Sequence, residues 1–255
     1  MCFMRFSKIY FLLTFFISIK LFATAQVPDY LIIEKDTLMI QSNPLEGYFK
    51  EHPIPANLIT TMSTANWRGY IAYFKFLNGK LVVENIYKEE NKNDDNDKTE
   101  FFLTSIYKDI FGENKNFECN FYSGLLICPS GKMLEYVHMG YSSVYENYNL
   151  IELKDGVNVK SRKFTAQEFM DYKREYFKYF KKTDEYKQKA NEFKEMTAEI
   201  DKSLDIRASG NSKNKNKENK YLKEKEAAYR ADKQLESFMF IFLNDYMKTI
   251  EIPFN

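Results

Sequence analysis

The chain has 255 residues, 44% hydrophobic and 17% aromatic, with 37 basic against 36 acidic side chains. A net charge of +1 excludes the basic footprint of a nucleic-acid binder. Only 2 histidines and 3 cysteines exclude a multi-histidine metal centre and a cysteine-rich scaffold.

The N-terminus has the layout of an export signal. Arg5 and Lys8 form a basic start, and Ile9 to Ile19 is apolar apart from Thr14 and Ser18. Ala23-Thr24-Ala25 follows as a small-residue cleavage site. This predicts a signal peptide over residues 1–25, a mature chain starting at Gln26, and a periplasmic or secreted protein. The apolar run is shorter than the roughly 20 residues of a membrane span. An uncleaved anchor, kept open by Lys20, would be the only membrane attachment.

Residues 26–164 read as a β-rich domain. Leu31 to Ile40 suggests a hairpin around Lys35-Asp36, followed by an irregular connection, Ser42 to Pro55, that carries His52 as an exposed loop residue. Asn78-Gly79 is a strong two-residue turn signal inside Trp67–Tyr87. It pairs Phe76 with Leu81, Phe74 with Val83 and Tyr70 with Tyr87, and buries that face. Lys75 and Glu84 fall on the other face as a weak pair. Trp67 and Arg68 precede the strand, either as a stacked pair lining a pocket or as an end closure with Arg68 spread over the indole.

Lys88 to Glu100 is a charged loop. Asn93, Asp95 and Asp97 have the spacing of a calcium loop, but Lys98 and Thr104 replace its glycine and glutamate. Phe101 to Phe111 is predicted as a short helix burying Phe102, Ile106 and Ile110.

Phe117 to Leu153 concentrates the strand signals. Ser130-Gly131 predicts a turn that sets Ile127 opposite Leu134 and Leu125 opposite Tyr136, with His138 on the same face. Cys119 and Cys128 have two readings. A reversal at Ser123-Gly124 would bring them face to face as a disulfide; one continuous strand would leave both thiols free. Lys154-Asp155-Gly156 is read as a three-residue loop that sets Leu153 against Val157 and Ile151 against Val159.

Two words in this region, WRGY at Trp67–Tyr70 and GKMLEYVHMGYSSVYE at Gly131–Glu146, resemble an uncharacterised family of small bacterial proteins. That family carries an "RGY" strand and a later "YVHMGYGSVYE" strand-loop. Ser142 stands here at the loop's glycine. The resemblance spans roughly Asn43 to Leu153 and implies a coherent fold, with no activity attached.

Residues 165–255 change character. Thr165-x-x-Glu168 is a capping box. A 3-4 spacing then runs from Phe169, Tyr172, Tyr176, Tyr179 and Thr183 through to Leu204. Ser209–Lys220 has no apolar residue and reads as a flexible linker. Tyr221 to Ile250 returns as a second helix, with Leu235, Phe238, Met239, Phe242 and Tyr246 on one side. The expected fold is therefore α+β, an antiparallel β-meander followed by a long antiparallel helical hairpin of coiled-coil type.

Walker, GxSxG, HExxH and CxxC motifs are absent from the sequence. No cofactor and no metal is expected. His138 with Glu146 and Arg68 is the best acid–base constellation, and Trp67, Arg68, Tyr141 and Tyr145 are the candidate binding residues. The expected role is an exported envelope protein for binding or assembly, with a protein or glycan partner. The alternatives are a hydrolase-like enzyme centred on His138 and an aromatic carbohydrate-binding module.

Overall fold

The structure, a computed structural model, describes residues 25–59, 63–93, 99–195 and 232–253. The predicted leader up to residue 24, the linker at residues 209–220, and Asp95 and Asp97 lie outside the described residues.

Nine strands form one mixed sheet in the order β2-β1-β3-β4-β9-β8-β7, with β5 and β6 pairing to β4. The first hairpin joins β1 (Asp29–Ile33) to β2 (Asp36–Ile40). Its turn sits on Glu34-Lys35, one residue earlier than expected, with Glu34 at φ 54. A short helix α1 (Glu46–Glu51) and an irregular loop then carry the chain to β3 (Tyr70–Leu77), which lies parallel to β1. That crossing replaces the expected all-antiparallel meander, since a parallel neighbour needs a long connection and the Ser42–Pro55 segment supplies one.

The Asn78-Gly79 turn joins β3 to β4 (Lys80–Asn93), pairing Phe76 with Leu81 and Phe74 with Val83 as expected. A bulge between Tyr73 and Phe74 then shifts the register, so Tyr70 meets Lys88 and Ile71 meets Tyr87. The extra residue on β4 turns Ile86 inward in place of Tyr87. Tyr87 instead packs edge-on against Tyr73, 5.4 Å between ring centroids. The Lys75–Glu84 ion pair forms on the outer face.

The helix expected over Phe101–Phe111 is a strand followed by one turn. β5 (Thr99–Ser105) pairs with β4, and α2 spans only Tyr107–Phe111. Ile106 is buried at the junction while Phe102 is exposed. β6 (Phe117–Glu118) pairs back onto β4 at Val83 and Val82.

β7 (Gly124–Glu135) is one continuous strand antiparallel to β8 (Val144–Lys154). The turn expected at Ser130-Gly131 is a bulge, where Gly131 has φ 79. A Cβ there would lie 2.5 Å from Glu146 Oε2, and that carboxylate accepts the Lys132 amide at 2.8 Å. Gly131 thus lets the neighbouring strand approach and does not reverse the chain.

β8 turns into β9 (Val157–Thr165) through Asp155-Gly156, both at positive φ (48 and 75). This is a two-residue turn that sets Leu153 against Asn158, not the three-residue loop. Val157 and Val159 are exposed, so no buried face there demanded the longer loop. The tips of the β3–β4 and β8–β9 hairpins meet, with the Leu81 amide donating to Gly156 O at 2.7 Å.

Strands β7 and β8 divide two cores. Leu126, Cys128, Ile151 and Leu153 face an inner cluster with Leu31, Phe74, Leu81 and Ile86. Leu125, Ile127, Tyr148 and Leu150 face an outer cluster with Phe169, Tyr172, Tyr176 and Phe180. Burial on both faces explains why Gly124 to Pro129 is apolar without alternation. Cys119 and Cys128 are free and buried, and burial pushes each thiol up to about 12.

The long helical hairpin is not present among the described residues. The capping box forms as expected: Thr165 Oγ1 accepts the Glu168 amide, and Glu168 accepts the Thr165 amide. The helix it starts, α3 (Ala166–Phe180), stops after 15 residues. Thr183, read as a seam residue, donates its hydroxyl to Phe180 O at 2.7 Å and accepts the Tyr186 amide at 3.2 Å. It ends one helix and caps the next, described over residues 184–195. The buried stripe is Phe169, Tyr172, Lys173, Tyr176 and Phe180, which follows the 3.6 period of a single helix lying on a sheet and not a 3.5 coiled-coil seam. Residues 232–241 are helical. A 3-10 turn at Leu243–Tyr246 then ends the expected second helix early. Phe240 meets Phe177 at 5.4 Å between ring centroids, and Tyr246 stacks on Phe180 at 5.0 Å. No described helix is long and apolar enough to cross a membrane.

Candidate functional site

Arg68 is buried inside the sheet end. Its guanidinium donates to Asp29 Oδ2 at 2.8 Å and to Val27 O at 2.9 Å, and lies 5.0 Å from the Tyr70 ring centroid. Asp29 also accepts the Ala72 amide at 2.9 Å. Burial pushes the Asp29 carboxyl up, while Arg68 and the Ala72 amide pull it down. For Arg68, burial opposes the charge, and Asp29 together with Tyr141 and Tyr70 more than offsets it. An arginine keeps its proton in proteins, so the pair is ionised at neutral pH. Gly69, at φ 73, lets the chain turn so that Arg68 enters the core and Tyr70 starts β3. The Arg-Gly-Tyr word is therefore a structural lock, with Tyr70 donating to Glu46 at 3.0 Å.

A cleft of about 420 Å³ opens beside this lock, lined by Asn43, Glu46, Trp67, Tyr122, Glu185 and Asp245 among others. Trp67, the single tryptophan of the chain, is 54% exposed at its rim. Asn43 joins two groups from distant parts of the sequence: it donates to Asp245 Oδ1 at 2.9 Å and accepts from the Tyr141 hydroxyl at 3.0 Å. The protein crowded around Asp245 raises its carboxyl to about 6, with burial first and Glu46 adding to it, against Arg68, Asn43 and Lys173. Its outer edge is solvent-exposed, so water screens part of that effect. Lys50 and Lys189 on the same walls balance the three carboxylates in part.

Asn43 and Glu46 flank the start of α1, Trp67 precedes β3, and Asp245 sits on the 3-10 turn. The fold thus gathers the wall from the N-terminal loop, the strand entry and the C-terminal turn. A second groove of equal volume near Lys75, Glu84, Tyr107 and Lys108 is open, and none of its lining residues is buried. The Trp67 cleft, with its inner polar wall, is the stronger site.

Arg68 is held by Asp29, Glu146 accepts the Lys132 amide at the β7 bulge, and exposed His138 has its Nδ1 2.8 Å from the Tyr136 hydroxyl. Of the candidate binding residues, Arg68 and Tyr141 converge on the Val27 carbonyl, at 2.9 and 3.5 Å. Tyr145 is buried, edge-on to Tyr148 at 6.4 Å between centroids. Sequence reasoning missed Asn43, Glu46 and Asp245. The one signal for Asp245 was the polar Asn244-Asp245 pair breaking the apolar FMFIFL run. Among the described residues no cluster of histidine, cysteine, aspartate or glutamate fits a metal ion. The chain matches no protein-family model, no curated protein and no solved structure, so the bacterial-family resemblance remains an expectation.

Proposed function

We propose that this protein is an exported binding module whose Trp67 cleft takes a carbohydrate. The observation that carries the reading is the exposed indole of Trp67 in a cleft that Asn43, Glu46 and Asp245 also line. A flat aromatic face suits the C–H face of a sugar ring, and carboxylate and amide groups suit its hydroxyls. The cleft volume, about 420 Å³, lies in the small-ligand range of roughly 300–1,000 Å³. The leader-like N-terminus supports an envelope or secreted setting for such a ligand.

Because the chain has a single tryptophan, its intrinsic fluorescence reports on the cleft directly. Titration with a panel of neutral oligosaccharides is expected to give a saturable change for at least one member, lost in Asp245→Ala. Calorimetry with that sugar is expected to show no binding to Trp67→Ala. A flat response across the panel would sink the reading.

A further inference from the structure

A second cavity, of about 240 Å³, shares no lining residue with the Trp67 cleft. The loop after β7 lines it through Val137, Met139, Ser142 and Ser143, and Phe169, Met170 and Phe240 supply the larger apolar faces. Lys173 reaches into it from the buried stripe of α3 and is only 5% exposed. Its Nζ lies 5.2 Å from the Phe240 ring centroid. Among the described residues Lys173 makes no hydrogen bond and no ion pair, and Asp245 attracts it only from a longer range. Burial lowers its ammonium to about 8, so it is still mostly a cation at neutral pH. A cation held among apolar walls with an aromatic face as its near partner lacks the anion that would offset its burial.

We propose that this cavity binds a small carboxylate with an aryl or short alkyl body, the carboxylate paired with Lys173 and the body packed against Phe169 and Phe240. The wall chemistry selects this class. One cation matches one negative charge, and among the described residues the wall holds no second cation for a phosphate dianion. The size agrees, since an apolar cavity of about 150 Å³ takes a benzene ring, and 240 Å³ leaves room for the head group.

Calorimetry on the full chain with benzoate and benzyl alcohol, which share a ring and differ in charge, tests it. Benzoate is expected to bind the wild type at least about tenfold tighter than the alcohol. Lys173→Met is expected to abolish that preference, and Trp67→Ala to leave it unchanged. The wild-type comparison stands even if a variant folds poorly. Equal binding of the two probes, no benzoate binding up to about 10 mM, or a preference that survives Lys173→Met would overturn the proposal.

Discussion

The fold buries two cations and treats them in opposite ways. At the entry to β3 Arg68 is enclosed together with Asp29 of β1, and the Val27 carbonyl and Ala72 amide complete their hydrogen bonds. On the outer side Lys173 is enclosed among Phe169, Tyr148 and Phe240 with no paired anion among the described residues. A paired charge fixes a structure: it costs little once formed and a great deal once broken. An unpaired charge is a standing cost that a protein tolerates where something else brings the partner.

The sharpest way to break this contrast is to neutralise one member of the Arg68–Asp29 pair. Asp29→Asn keeps an acceptor for the Ala72 amide but leaves Arg68 charged and alone, and is expected to cost about 3–5 kcal/mol in urea unfolding. Arg68→Met should cost less in acid, because a stranded Asp29 can take up a proton whereas Arg68 cannot release one. The double variant Asp29→Leu/Arg68→Met is expected to recover much of the loss.

Lys173→Met is expected to act in the other direction. The folded ammonium loses its proton near pH 8, against an ordinary value of 10.5. Between those values the unfolded chain holds more protons, so wild-type stability rises with pH across that window. The shift corresponds to about 3 kcal/mol as an order of magnitude. Lys173→Met should gain up to that amount at pH 7 and show no such rise. Buried tyrosines titrate in both proteins, so the difference between the two stability curves isolates the lysine. If the variant is less stable at pH 7, Lys173 has a partner beyond the described residues.

Smaller effects separate close packing from backbone strain. Gly156→Ala would place a Cβ 2.7 Å from the Cys119 carbonyl oxygen, at φ 75. Gly79→Ala, at φ 79, meets nothing within 4 Å. The first is expected to lose about 1–3 kcal/mol more than the second in thermal or urea unfolding. The smallest expected effect is Thr165→Ala, which removes half of the α3 capping box and should cost about 1 kcal/mol.

What could be read from the sequence was local. Asn78-Gly79 gave the β3–β4 turn and its first pairs, because a two-residue turn dictates the register next to it. The bulge beyond Tyr73 left no mark in residue type, and it moved Ile86 inward and Tyr87 outward. Ser130-Gly131 has the composition of a turn, yet Gly131 is there to admit the Glu146 side chain from the next strand. The aromatic spacing after Thr165 was real, but its partner is a sheet, and a single helix on a sheet keeps the 3.6 period that brings Lys173 and Phe180 inward. Lys173 sits between Phe169 and Tyr176 on that stripe, a position from which its burial follows once the period is right. Trp67, Arg68 and Tyr141 were identifiable by residue type. Glu46 and Asp245 were not, since their meeting depends on how the C-terminal turn docks beside α1.

The chain closes its sheet at one further point: the Gln41 amide, just past β2, donates to Ile127 O of β7 at 2.8 Å. That bond joins the two ends of the strand order, β2 and β7. Its exchange with deuterated solvent would therefore report the free energy of opening where the two ends of the strand order meet. Buried Ile40 and Ile127 flank the bond, so its amide meets solvent only when that packing opens.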